Sequence, residues 1–259
     1  MTKEDSHGLA TRLQKRGRIV VTVDNRGSGD SDTPPNNLNM CDMAHDSIAL
    51  MKSLQLHDNH FDMFGASMCG YIAQCTALMD VEETETKTKS SCRPFLRKLI
   101  LACTHHGGPK CHPPTAEYVA LVNRCTPNYE DVDKWNQHMK ELLSINFSNH
   151  FIEQCPKEFE RLLEGAKDAE RKSTLLRGRD GQMHAIQEYI SVGVESGLKR
   201  IKIPTLIITG DCDRVVPPIN SDLLHQTIKG SRKIVLNGVG HMFWEEMPEA
   251  TADHVDTFL

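Results

Sequence analysis

The chain has 259 residues, enough for one large α/β domain with or without an inserted segment, and its 39% hydrophobic and 25% charged content is ordinary for a globular protein. A formal charge of −5 with no basic stripe argues against a nucleic-acid partner, and no apolar run approaches the roughly 18 residues of a membrane span. The nine cysteines are odd in number and scattered, and no signal peptide is visible, so reduced thiols and a cytoplasmic setting are expected.

Residues 8–16 predict a short helix, with Leu9 and Leu13 spaced i, i+4 and Gly17 as its stop. Residues 18–24 (RIVVTVD) are β-branched and apolar, the pattern of a buried parallel strand. They run into a glycine-rich turn, DNRGSGDS, that matches neither the dinucleotide nor the P-loop phosphate pattern. A helix is expected over residues 38–56, with Met40, Met43, Ala44, Ile48 and Met51 on one core-facing stripe.

The stretch HFDMFGASMCG at residues 60–70 organises the rest. Its first half reads as a buried strand and its end opens a helix that runs to about Met79, with Ser67 at the junction. Gly65 precedes that serine by two residues and Gly70 follows by three, small residues suited to elements that pass closely. A serine there would be exposed beside helix N-terminal N–H groups, where developing negative charge is favoured; simple helix capping by Ser67 is the plainer reading.

Residues 80–91 alternate charges with no apolar residue after Val81 and predict a solvated loop. Residues 98–103 (KLILAC) form the next buried strand. The following His105-His106-Gly107-Gly108, with Cys111 and His112, has no zinc-type spacing, so no metal site is assigned. Residues 109–199 carry apolar residues at helical spacing amid many charges, with helices at 118–122, 132–143, 151–163 and 186–194. Strand pattern returns at residues 203–210, followed by Asp211 and Asp213, a helix at 219–228 and a short strand at 233–236. A glycine-flanked turn then carries His241, and a helix at 245–259 closes the chain.

A nucleophilic serine needs a base, best an imidazole, and the imidazole needs a carboxylate to fix its tautomer. Of thirteen histidines, His241 alone sits on a glycine-flanked turn straight after a strand; Asp211 and Asp213 both follow the preceding strand.

These segments together resemble the α/β-hydrolase superfamily. FGASMCG is similar to its nucleophile elbow, G-x-S-x-G, with Cys69 in place of the second glycine and Gly70 just after. DNRGSGDS is similar to the D-x-R-G-x-G-x-S turn after the family's fourth strand, and GVGH with Glu245 and Pro248 to its G-x-G-H…E-x-P-E ending. The resemblance implies a mostly parallel, doubly wound α/β sheet whose core is residues 1–108 and 200–259, with residues 109–199 as an inserted helical lid. It implies catalytic Ser67, Asp213 and His241, in the family's chain order, with Asp213 preferred over Asp211 by the G-x-x-D-x-x-V-P pattern, and the Met68 N–H in the oxyanion hole. The implied reaction is hydrolysis of an ester, lactone or similar acyl bond on a small-molecule substrate, without cofactor or metal. Carbon–carbon cleavage, proline-peptide hydrolysis and perhydrolysis are further chemistries of the same triad.

The sequence departs from the family before residue 18, where too few residues precede the first helix for the strand and loop that supply the second oxyanion donor. Three family strands are missing on this reading, which suggests a fragment or incomplete gene model starting downstream of the natural start. The different-class alternative is a non-catalytic ligand-binding homologue or inactive fragment; a redox role for Cys69 at the helix N-terminus is a third.

Overall fold

The computed structural model describes residues 7–34, 38–56, 60–86, 94–124, 130–172 and 176–259. Four parallel strands form one sheet in the order β1 (Phe61–Ala66), β2 (Leu96–Ala102), β3 (Thr205–Gly210), β4 (Arg232–Leu236). Parallel pairing requires long crossovers. Between β1 and β2 runs α3 (Met68–Thr86), and between β3 and β4 runs α10 (Ile219–Thr227). Between β2 and β3 lie α4 (Ala116–Val122), α5 (Val132–Ser144), α6 (Asn149–Gln154), α7 (Pro156–Lys172), α8 (Leu176–Val192) and α9 (Glu195–Leu198), with no strand among the described residues.

Strand periodicity divides the core. Ile100 and Ala102 of β2, with Leu206 and Ile208 of β3, face a layer that includes α1 (His7–Lys15), α11 (Phe243–Glu246) and α12 (Pro248–Phe258). Leu99, Leu101 and Ile207 face the opposite way, toward Ala73 and Ala77 of α3 and Leu224 of α10. Covering both faces is what lets residues 99–102 of β2 and 206–208 of β3 be continuous apolar runs. Because all four strands point one way, the loops that leave them gather at a single edge of the sheet.

The strand expected over residues 18–24 does not form: the segment has no regular secondary structure and pairs with no strand among the described residues. Ile19 is 64% exposed, and Val21 and Val23 are also exposed. Among the described residues, residues 19–23 make no backbone–backbone hydrogen bond. A cavity of about 510 Å3 lies between this segment and β1, lined on one side by residues 18–23 and on the other by Asp62, Met63, Phe64 and Ala66. β-Branched composition reports what a segment can do beside a partner strand; here, among the described residues, β1 pairs with β2 alone. The ends of the segment are still anchored. The Arg18 guanidinium holds the Asp256 carboxylate at 2.8 Å, and the Ser31 hydroxyl donates to the Asp24 carbonyl at 2.7 Å. We expect the amides of residues 19–23 to exchange hydrogen at close to unstructured rates, whereas those of β2 and β3 are strongly protected. Hydrogen-exchange mass spectrometry measures this, and strong protection across 19–23 would contradict it.

The charged stretch after Met79 also differs from expectation. It continues α3 as far as Thr86, and the residues from 87 lie outside those described. Asp80 is buried rather than solvated: its Oδ1 accepts the Phe95 N–H at 2.7 Å and the Leu96 N–H at 3.3 Å, so the carboxylate caps the entry of β2. Burial pushes the Asp80 carboxyl up despite those bonds. Two expected helices are divided at prolines. Cys155 stands outside helical geometry just before Pro156, and Met247 just before Pro248.

Candidate active site

Ser67 follows β1 directly and has φ of 51°, a left-handed conformation that a residue with a side chain adopts only at some cost in strain. Its backbone is held on both sides. The Ser67 N–H donates to the Ala102 carbonyl at 2.9 Å, while its carbonyl accepts from the Gly70 N–H and the Thr104 hydroxyl, each at 2.9 Å. The glycines explain how a strand turns into a helix within one residue. A Cβ on Gly65 would lie 2.3 Å from the Cys69 carbonyl oxygen, and one on Gly70 would lie 2.5 Å from the Thr104 side chain. The close approach on the helix side therefore falls at Gly70. Cys69 instead points to Asn25, whose amide nitrogen lies 3.4 Å from the Cys69 sulfur, so the turn tolerates the cysteine in the family's second glycine position. Met68 is the first residue of α3, so its N–H has no intrahelical acceptor and sits at the positive end of the helix dipole.

Asp213 and His241 arrive from the loops after β3 and β4. Both are buried, and His241 Nδ1 lies 2.8 Å from Asp213 Oδ2. The other carboxylate oxygen, Oδ1, accepts the N–H groups of Val215 and Val216, each at 2.8 Å, which fixes the plane of the carboxylate. Asp211, the other candidate acid, faces elsewhere and accepts the Gly238 N–H at 2.7 Å. Burial opposes charge on the His241 ring, but the charge of the hydrogen-bonded Asp213 carboxylate outweighs it and holds the imidazole well above its ordinary value. The turn that presents His241 is itself braced by Glu246, which accepts the Gly240 N–H at 2.7 Å and the Ser148 N–H at 3.0 Å.

One group at the site was not singled out from sequence. Cys103, at the end of β2, has φ of 39° and is fully buried. Its sulfur, a His241 nitrogen and an Asp213 oxygen lie within 4.8 Å of one another. Burial pushes this thiol up, which favours its neutral form. The three side chains could in principle hold a metal ion, but His241 Nδ1 and Asp213 Oδ2 are already engaged with each other. A small buried residue closing the strand between β1 and β3 was the available signal, and it is a weak one. The Ser67 hydroxyl makes no hydrogen bond among the described residues.

His105 and His106 sit at the same edge of the sheet without joining this group. His105 Nδ1 accepts the Gly107 N–H at 3.0 Å, so its Nε2–H donates to the Tyr71 hydroxyl at 2.7 Å. Burial, with His106 adding to it, pushes His105 down to about 4, so it is a neutral core histidine near pH 7. The helices between β2 and β3 dock on the loops that carry Asp213 and His241. The Thr115 N–H donates to the Arg214 carbonyl at 3.1 Å, Arg214 donates to the Ser144 carbonyl at 2.7 Å, and the Met242 N–H donates to the Asn146 carbonyl at 3.0 Å. The 510 Å3 cavity is a separate feature, for neither Ser67, Asp213 nor His241 lines it.

A family profile described as the alpha/beta hydrolase fold matches residues 2–248. The chain belongs to the alpha/beta hydrolase fold family. It is 27% identical over 217 residues to the uncharacterized hydrolase YugF of Bacillus subtilis (strain 168), a match covering 82% of this chain and 69% of that one. Among solved structures, an esterase (EaEST) from Exiguobacterium antarcticum superposes with a TM-score of 0.73 at 22% identity, covering 99% of this chain and 87% of the esterase. The enol-lactonase from Burkholderia xenovorans LB400 superposes with a TM-score of 0.71 at 18% identity, covering 99% of this chain and 86% of that one. At such identities the likeness shows the shared alpha/beta hydrolase fold. No helix among the described residues is long and apolar enough to cross a membrane.

Proposed function

We propose that this chain is a serine hydrolase that cleaves an ester, lactone or related acyl bond of a small molecule. Ser67 attacks the carbonyl, His241 takes its proton and later returns it to the leaving group, and Asp213 holds the ring. The Met68 N–H stabilises the tetrahedral oxyanion. The observation that carries this reading is the 2.8 Å contact of buried His241 and Asp213 on loops at the same sheet edge as the strained Ser67. Esterase and lactonase relatives of the same fold support the acyl class. Catalytic hydrogen bonds are often loose without substrate, so an unengaged Ser67 hydroxyl is compatible with this chemistry. In the same reading residues 109–199 act as a lid over a core of residues 1–108 and 200–259, excluding water and shaping the acyl pocket.

A fluorophosphonate probe, which reacts with activated serines, should label the chain, and Ser67→Ala should abolish labelling. Equal labelling of that variant would refute the assignment. The second reading is a non-catalytic ligand-binding homologue, favoured by the lack of a hydrogen bond on the Ser67 hydroxyl. It predicts saturable ligand binding with neither labelling nor turnover.

A further inference from the structure

Nine cysteines raise the question of whether any two can react with each other. Cys41 lies in the first turn of α2 (Met40–Leu54), and Cys75 lies on the second turn of α3, the helix that begins just after Ser67. Their sulfurs are 3.9 Å apart, within hydrogen-bonding range for thiols, and neither is in a disulfide. Their environments differ in the way a reacting pair needs. Cys41 is exposed and Cys75 is buried beneath it. We propose that Cys41 and Cys75 form a peroxide-responsive dithiol, in which Cys41 is oxidised first and Cys75 resolves it to a disulfide tying α2 to α3.

Cys41 is the better nucleophile for two independent reasons. A thiolate in the first turn of a 15-residue helix is favoured by the positive end of the helix dipole. The Cys75 S–H can also donate to it, which pulls the Cys41 thiol down to about 7 against partial burial and the carboxylates of Asp42, Glu188 and Glu82. Cys75 is held up by the same contact and by burial, so it stays a protonated thiol until it reacts.

The chemistry balances with hydrogen peroxide as oxidant. The Cys41 thiolate attacks one peroxide oxygen, the O–O bond breaks and hydroxide leaves, giving Cys41 sulfenic acid. The Cys75 sulfur then attacks the Cys41 sulfur, the S–O bond breaks, and the departing hydroxide takes the Cys75 proton as water. The net change is two thiols and one peroxide to one disulfide and two waters. Side-chain rotation must shorten the gap from 3.9 Å to a bond of about 2.05 Å.

The test is peptide mapping of the full chain after graded treatment with hydrogen peroxide, with and without a later thiol reductant. The expected result is a crosslinked peptide pair containing Cys41 and Cys75 that reductant cleaves and that Cys41→Ser lacks. In Cys75→Ala, Cys41 should accumulate as sulfenic acid, trapped by dimedone at least about fivefold more than in the unmodified chain. If that variant fails to fold, the map of the unmodified chain still decides. Cys41 that stays dimedone-reactive without a Cys75 link, or that bridges a different cysteine, would overturn the proposal.

Discussion

Replacing Asp213 with Asn should lower kcat/KM for ester hydrolysis by roughly 10³–10⁴ while leaving the fold intact. The reason lies in which oxygen does what. Oδ1 is occupied by the Val215 and Val216 N–H groups, so an asparagine would keep its carbonyl oxygen there and turn its NH2 toward His241. Facing a donor, His241 Nδ1 must become an acceptor, which puts the ring proton on Nε2, where the serine proton has to go. The pH profile supplies a second readout. A protonated ring cannot accept the serine proton, so activity should rise with pH as His241 deprotonates. Because the Asp213 carboxylate holds the ring above its ordinary value of about 6.5, that rise should be centred above 6.5 in the unaltered chain. Asp213→Asn removes the negative charge and leaves burial, so the midpoint should move to lower pH. A variant with unchanged rate and unchanged midpoint would show that Asp213 does not serve His241.

Gly65→Ala should be the most damaging single methyl group at the elbow. The added Cβ would meet the Cys69 carbonyl oxygen at 2.3 Å, the Cys69 carbonyl carbon at 2.7 Å and the Ala73 Cβ at 2.8 Å. Two of these three are backbone atoms, so α3 must move away from β1 rather than a side chain turning aside. A cost on the order of 3 kcal/mol is expected, a large part of the roughly 5–15 kcal/mol that holds a typical domain together. For a chain of this size that corresponds to a fall in Tm of roughly 6–12 °C. The same displacement shifts Ser67, and a misplacement of about 1 Å is enough to cost roughly 10²-fold in rate. Thermal unfolding and probe labelling measure the two effects separately. An unchanged Tm would mean that strand and helix are not as close as described.

The elements that could be read from the chain are those whose signal is local. β1 to β4 are short apolar runs, and their parallel order with Ser67, Asp213 and His241 at their C-terminal ends follows from the long segments between them. Residues 18–24 have the same local signal, yet pairing depends on a neighbour that composition cannot supply, so the segment forms no strand and leaves Ile19, Val21 and Val23 exposed. Asp80 failed in the opposite sense. In a run of charges it reads as solvated, but the Phe95 and Leu96 amides that bury it lie fifteen and sixteen residues away. Cys103 was invisible for a related reason, since its place beside His241 follows from β2 lying between β1 and β3. The glycine-flanked turn, by contrast, is a local signal, and among thirteen histidines it picks out His241, whose Nδ1 lies 2.8 Å from Asp213 Oδ2.

An acyl group caught on the chain is the most direct evidence available. Mixing it with an activated ester, quenching in acid and mapping the peptides should show one acyl group, carried on the Ser67 hydroxyl, that is lost on raising the pH. Turnover with the acyl group on Cys69, Cys111 or any other side chain, or with no acyl intermediate at all, would contradict the account.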